Sequence, residues 1–306
     1  MESAESSNRI DGIVAPRERI QALVIENGVP RDQPEQEIAG YRDALKLVHN
    51  SARDMQFSVN SAFQLHSMMY RYHAGAGGRW KTAPNGIATS EAKPQAARVR
   101  FTPPAPVPTP QMMANLATSY GRAVGEGLEP LIAVPSAVFD FLCIHPFSEG
   151  NGRVSRLLTL QLLYQSDHDV GRYVSLERIV EDSKESYYEA LNASAGGWHE
   201  GRHDLLPWLR YFWGMTLRAY REFEERVVVV PAGRGSKSDR VEQAVGRRVG
   251  AFAISDIESD VPEVTRDWIR MVLRRLKADG RIALQGRGRG AKWTLVENSL
   301  QVARSR

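Results

Sequence analysis

The chain has 306 residues, 42% of them hydrophobic and 25% charged, with a formal net charge of +4. That is an ordinary soluble composition, long enough for a sizeable core and two domains. No apolar run reaches membrane-spanning length, the opening MESAESSNRID is too polar and acidic for a signal peptide, and a lone cysteine excludes an intrachain disulfide, so a reducing cytoplasm and no membrane are expected.

Residues 1–35 read as polar and loop-like, punctuated by Pro16, Pro30 and Pro34. The next segment, EQEIAGYRDALKLVHNSA, carries Ile38, Tyr41, Leu45 and Val48 near helical spacing, and SAFQLHSMMYRYHA continues the pattern through Phe63, Leu65, Met69 and Tyr72. The Gly- and Pro-rich stretch that follows cannot be one helix; it reads as an extended excursion or hairpin returning at Val99 to Phe101. Helical patterns resume at Gln111 and run to about Glu225, with Cys143 read as a small core residue.

A linker is expected at VVVVPAGRGSKSDR, where composition turns basic. Beyond it, Ser255 and Glu258 have capping-box spacing, and Ile269, Val272, Leu273 and Leu276 form one face of a helix stopped by Gly280. RIALQGRGRGAKWTLV reads as two short strands around a Gly-Arg tip. Helix, helix, helix, hairpin is the outline of a winged helix-turn-helix. From Arg266 to Arg306 there are eleven Lys or Arg against three Asp or Glu. Arg266, Arg270, Arg274 and Lys277 on the helix, with Arg287 and Arg289 at the tip, are candidate DNA contacts. A solvated basic face, or a module that binds protein, is the competing reading.

The densest chemistry is HPFSEGNGRVSR, residues 145–156, set between the apolar runs LIAVPSAVFDFLCI and LLTLQLLYQS. A Gly-Asn-Gly turn opening a helix presents free backbone N–H groups and a positive dipole end, which together favour phosphate. Arg153 and Arg156 in the first helical turn oppose that dipole, so an anionic ligand is the reason for them. Glu149 beside a polyphosphate suits Mg²⁺, and a neutral His145 at the other lip can take a proton from an attacking hydroxyl. Each element alone has a bland structural explanation; in this order they fit one task, holding a nucleotide polyphosphate beside a base.

The stretch resembles the Fic (Fido) family signature His-x-Phe-x-Asp/Glu-Gly-Asn-Gly-Arg-x-x-Arg at every fixed position, and the resemblance extends over about residues 5–225, including SSNRIDG and RFTPP. It implies a mainly α fold: a Fic helical core with a β-hairpin flap, followed here by a small α+β winged-helix domain. It also implies transfer of AMP from ATP to a Ser, Thr or Tyr hydroxyl of a target protein, self included, with pyrophosphate released. By position His145 would be the base, Phe147 core, Glu149 the Mg²⁺ ligand, Gly150, Asn151 and Gly152 the anion cradle, and Arg153 and Arg156 the clamp on the outer phosphates. Glu149 stands where many relatives have Asp.

The resemblance further implies that WKTAPNGIAT is the flap tip, with Ile87 as the hydrophobe that clamps the target, although Gly86 departs from the bulkier residue expected. It places Tyr187 and Tyr188 of ESYYEAL near the adenine, with core packing the equal alternative. Many Fic proteins carry an inhibitory helix, Ser/Thr-x-x-x-Glu-Gly/Asn, whose glutamate pairs with the second motif arginine. Ser7 to Gly12 fits that spacing with Asp11 in place of glutamate, so Asp11 is expected to pair with Arg156 and Ser7 to buttress the helix.

The expected organisation is an N-terminal inhibitory segment and helix over 1–55, the Fic core over 56–225, a linker over 226–238 and a winged helix over 239–300. The expected function is an autoinhibited protein adenylyltransferase. The alternatives are a DNA-binding regulator with a Fic sensor core, and a Fic enzyme that uses another nucleotide or removes AMP.

Overall fold

The computed structural model describes residues 1–73, 77–85, 87–88, 99–227, 237–286 and 291–296. Gly86, most of the 226–238 linker, Arg287 and Arg289 lie outside the described residues. The fold is mainly α. In chain order it runs α1 (Glu2–Ile10), α2 (Arg17–Val24), α3 (Gln33–Ser51), α4 (Val59–Met69), β1 (Ile87–Ala88), β2 (Val99–Phe101), α5 (Thr109–Gly125), α6 (Pro130–Ile144) and α7 (Asn151–Gln165). It continues through α8 (Leu176–Asp182), α9 (Lys184–Ala195), α10 (Leu206–Val227), α11 (Lys237–Gly246), α12 (Ile254–Asp260), α13 (Arg266–Ala278), β3 (Ile282–Gln285) and β4 (Lys292–Leu295). The chain forms two compact units, Met1–Trp213 and Gly214–Arg306, divided within α10. No described helix is long and apolar enough to cross a membrane.

The first unit is built around α7. Val154, Leu157, Leu158, Leu160, Leu162 and Leu163 are all buried, so this helix is apolar around most of its circumference, as a helix enclosed by others must be. Helices α3, α4 and α6 pack on it. Helix α3 starts on Asp32, whose Oδ1 accepts from the Glu35 amide at 3.0 Å, with proline in the first turn. Helix α4 starts on a Ser58–Ser61 capping box. The two helices touch at Gly40, where a Cβ would stand 1.8 Å from the Met69 carbonyl oxygen, so only glycine permits that crossing.

Residues 1–35 are not loop-like: they form α1 and α2. Helix α1 buries Ala4, Ser6, Ser7, Asn8 and Ile10 and packs on α8 and α3. Its inner face is largely polar, so a search for apolar periodicity passes over it; tertiary burial orders it instead. Helix α2 buries Ile20 and Leu23 against Ile38 and Ala39 of α3. The second helical pattern also stops early, at Met69, and Tyr72 beyond it donates its hydroxyl to Asp43 Oδ2 at 2.8 Å.

In the second unit, α11, α12 and α13 and the β3–β4 pair enclose Val241, Phe252, Ile257, Ile269, Val272, Leu273, Leu276 and Trp293. Strands β3 and β4 are antiparallel, with Ile282 opposite Leu295 and Leu284 opposite Trp293. The capping box expected at Ser255 and Glu258 does not form. Helix α12 begins two residues earlier, with Ala253 as its N-cap; the Ala253 amide donates to Asp256 Oδ2 at 2.7 Å, and Glu258 instead pairs with Arg266 at 2.9 Å. With Ala253 as the N-cap, the N3 carboxylate is Asp256, which reaches back to the cap amide.

Candidate active site

Helix α6 ends at Ile144, and His145 caps it in the left-handed region at φ +51°. A non-glycine residue there is strained and must be held by its neighbours. The His145 Nδ1 lies 3.2 Å from the Leu142 carbonyl oxygen, which leaves Nε2 for the cavity. Burial, and secondarily the Lys81 ammonium, lower its pKa to about 4, so the imidazole is neutral near pH 7. Phe147 is fully buried, stacked on His66 at 3.9 Å between ring centroids. The Asn151 side chain spans the loop, accepting from the Phe147 amide at 2.9 Å and donating to the Phe147 carbonyl at 2.8 Å. Asn151 therefore shapes the turn with its amide group, and only its backbone faces the cradle.

Gly150 at φ +76° starts α7 and leaves its first amides without a side-chain cap. A Cβ at this position would also stand 2.9 Å from the Tyr70 hydroxyl. Arg153 and Arg156 are both buried. Arg153 pairs with Glu37 at 2.7 Å, donates to the Tyr70 hydroxyl at 2.8 Å and to Asn8 Oδ1 at 3.3 Å. Its Nε lies 3.3 Å from Asp11 Oδ2 but makes no hydrogen bond. A buried guanidinium with one idle donor at a helix N-terminus is chemistry suited to a further anion.

Arg156 is held by α1. Its Nε donates to Ser7 Oγ at 2.7 Å, and its Nη2 donates to the Ser7 carbonyl at 2.8 Å and to Asp11 Oδ1 at 3.1 Å. Burial, the largest single influence, opposes the charge, but the Asp11 carboxylate together with the Tyr187 and Tyr41 hydroxyls raises the Arg156 pKa above the ordinary arginine value. Asp11 thus divides its two oxygens between two arginines instead of meeting one of them bidentately. Ser7 touches Arg156 directly instead of only supporting the helix.

These residues line a cavity of about 440 Å³. Its polar lining includes His145, Glu149, Gly150, Gly152, Arg153, Arg156, Asp11 and Glu37; its apolar and aromatic lining includes Phe101, Phe139, Leu142, Leu191 and Tyr188. Tyr187 lines the cavity and also packs edge-on against Tyr188, Trp208 and Tyr211, so its ring serves both wall and core. Burial raises the pKa of both tyrosine hydroxyls. Of the three carboxylates, Asp11 and Glu37 are ion-paired, whereas Glu149 is exposed and has no ion pair among the described residues. No group of three or more His, Cys, Asp or Glu forms a metal cage among the described residues. A single free carboxylate beside a phosphate cradle fits Mg²⁺, which takes the rest of its shell from phosphates and water.

Ile87 lies on β1, opposite Phe101 of β2 in an antiparallel pair that shifts register between Ile87 and Ala88. The α13 candidates belong to the second unit. Arg266 pairs with Glu258 and Arg270 with Asp267, while Arg274 and Lys277 are exposed with no ion pair among the described residues. Sequence reasoning missed Asn8, Glu37, His66, Tyr70 and Lys81. Buried polar residues on helices look like surface residues in a sequence, and only their convergence on Arg153 and the 144–149 loop distinguishes them.

Residues 56–163 match the family model described as Fic/DOC family. The chain is 23% identical over 233 residues to a protein named protein adenylyltransferase Fic from Nematostella vectensis, covering 74% of this chain and 49% of that protein, so it spans about half the length of that relative. Among solved structures, a Fic family protein from Desulfovibrio desulfuricans G20 superposes with a TM-score of 0.59 at 19% identity, covering 96% of this chain and 85% of that one. A Fic domain containing signaling protein from Bacteroides thetaiotaomicron gives 0.59 at 20% identity, covering 72% and 83%.

Proposed function

The chain carries a Fic domain, and from that premise we propose that it transfers AMP from ATP to a hydroxyl of Ser, Thr or Tyr on a target protein, with α1 restraining the reaction. The observation that carries this reading is one cavity that joins a neutral histidine to an uncapped helix N-terminus and two buried arginines. His145 takes the proton as the hydroxyl oxygen bonds to the α-phosphorus, and the bond from that phosphorus to the β-phosphate bridging oxygen breaks, releasing pyrophosphate. The α7 amides and Arg153 hold phosphate oxygens, and Arg156 joins them once Asp11 gives way. Mg²⁺ on Glu149, when bound, neutralises polyphosphate charge. The apolar and aromatic lining, Tyr187 and Tyr188 included, receives the nucleoside.

Restraint follows from the same contacts. With α1 in place, three carboxylates face two guanidiniums in the cavity, an unfavourable setting for a polyphosphate. Intact-mass spectrometry after incubation with ATP and Mg²⁺ tests the proposal: a gain of one AMP on the chain or on a captured target is expected. A gain of phosphate alone, of UMP with UTP only, or loss of AMP from a modified protein would assign a different Fic reaction.

A second reading concerns the Gly214–Arg306 unit. Arg274 and Lys277 share one exposed surface of α13 without acidic partners among the described residues, and this favours a polyanion such as DNA as an additional ligand of a winged-helix-like module.

A further inference from the structure

We propose that Lys81 is a positioning residue that pins the His145 loop to the segment leading into the β1–β2 hairpin, so that the base and the flap behave as one mechanical unit. This rests on the reading of His145 as the general base.

Lys81 is only 2% exposed. Its Nζ donates to the Ile144 carbonyl at 2.9 Å, and its backbone amide donates to the Pro146 carbonyl at 2.9 Å. One residue therefore holds the chain on both sides of His145, whose left-handed conformation needs such restraint. The Ile144 carbonyl is among those at the α6 C-terminus that lack a helical partner, and a cation there also meets the negative end of the helix dipole. Burial lowers the Lys81 pKa to about 8, and nothing is gained by hiding an ammonium in this place unless its bond matters.

Neighbouring contacts extend the same junction. Asn85 Nδ2 donates to the Phe147 carbonyl at 2.9 Å, and Trp80 stacks near Phe147. His66 accepts from the Gly78 amide at Nδ1, at 2.8 Å, so its Nε2 carries the proton and donates to the Glu149 carbonyl at 3.2 Å. Residues 77–85 are thus fastened to residues 144–149 at four places, and the chain enters β1 two residues later. Lys81 does not line the cavity, so it acts through His145 rather than on a reacting atom. The charged groups that act on His145 are Lys81, which lowers its pKa, and Asp11, which raises it.

The test uses the full chain with Lys81→Met and Lys81→Arg, following self-modification at saturating ATP, ATP binding, and the His145 titration by NMR. Lys81→Met should cut the transfer rate by about tenfold or more, the scale of loss from a misplaced reacting group. It should leave ATP affinity unchanged and move the His145 pKa upward, because the neighbouring cation is gone. Lys81→Arg should restore most of the rate and the low pKa. An unchanged rate and unmoved His145 titration in folded Lys81→Met would overturn the proposal, as would a defect confined to ATP affinity. If Lys81→Met does not fold, loss of activity in folded Lys81→Arg overturns it instead. The titration needs no turnover, so failure of the transferase reading, seen as an inactive wild type, is distinguishable from failure of this one.

Discussion

Ser7 grips Arg156 twice, through its hydroxyl to Nε at 2.7 Å and through its carbonyl to Nη2 at 2.8 Å, across 149 positions of sequence. Asp11 is the one carboxylate paired with Arg156 among the described residues, so the two residues divide the work: Ser7 orients the guanidinium and Asp11 neutralises it.

That division ranks the variants of α1. Asp11→Gly removes the competing anion and should raise self-modification, within the roughly 5–150-fold range usual for coupled sites. Ser7→Ala keeps the carbonyl contact and should raise it less. Asp11→Glu, one methylene longer, should hold Arg156 more firmly and lower activity below wild type. Initial rates of the four proteins at one ATP and Mg²⁺ concentration check the order. An Asp11→Gly protein no more active than wild type, at equal folded fraction, removes α1 from regulation.

His145→Ala should reduce transfer by about 10²–10⁴-fold, the usual worth of a general base. Calorimetric ATP affinity should change little, because His145 stands outside the α7 amides and the arginines. A collapse of ATP binding with surviving single-turnover transfer would exchange the roles assigned here.

Glu149→Gln should demand more Mg²⁺ for the same rate while leaving ATP binding without metal intact. Because Glu149 is exposed and has no ion pair among the described residues, its stability cost should stay within about 0.5 kcal/mol. A Mg²⁺ titration that coincides with wild type would count against Glu149 as the metal ligand.

His66 is buried and, chiefly through burial, has its pKa lowered to about 4. A histidine is more basic in the unfolded chain, near about 6.5, so the unfolded state binds more protons between these values and stability rises with pH there. Full stability is present above about pH 6.5 and is lost progressively toward pH 4, with His145 acting in the same sense. Urea unfolding at pH 7 and pH 5 should show this loss in wild type and a smaller one in His66→Gln. Equal losses in both proteins would place the acid sensitivity elsewhere.

If α13 meets a polyanion, the full chain should shift duplex DNA at low salt, with affinity falling steeply as salt rises. Arg274→Ala and Lys277→Ala should each flatten that slope by about one counterion. Binding that ignores salt, or none at all, would leave the second unit to protein contacts or to no ligand.

Much of the site was legible in the sequence because its parts are local. His145 through Arg156 are contiguous, and the helix-start chemistry of Gly150 to Gly152 follows from backbone geometry alone. The Ser7-x-x-x-Asp11 spacing is equally local, since residues four apart share a helix face. Tertiary structure decided what those faces meet: Asp11 bridging Arg153 and Arg156, Glu37 and Tyr70 holding Arg153, and Lys81 bracketing His145. It also made helices of residues 1–35, the first of them with a largely polar buried face, and set the α12 N-cap at Ala253 instead of Ser255. A motif records which groups stand near each other along the chain. A buried polar side chain is stable only with its partner, and that partner is chosen by packing across tens to hundreds of residues, which no local pattern encodes.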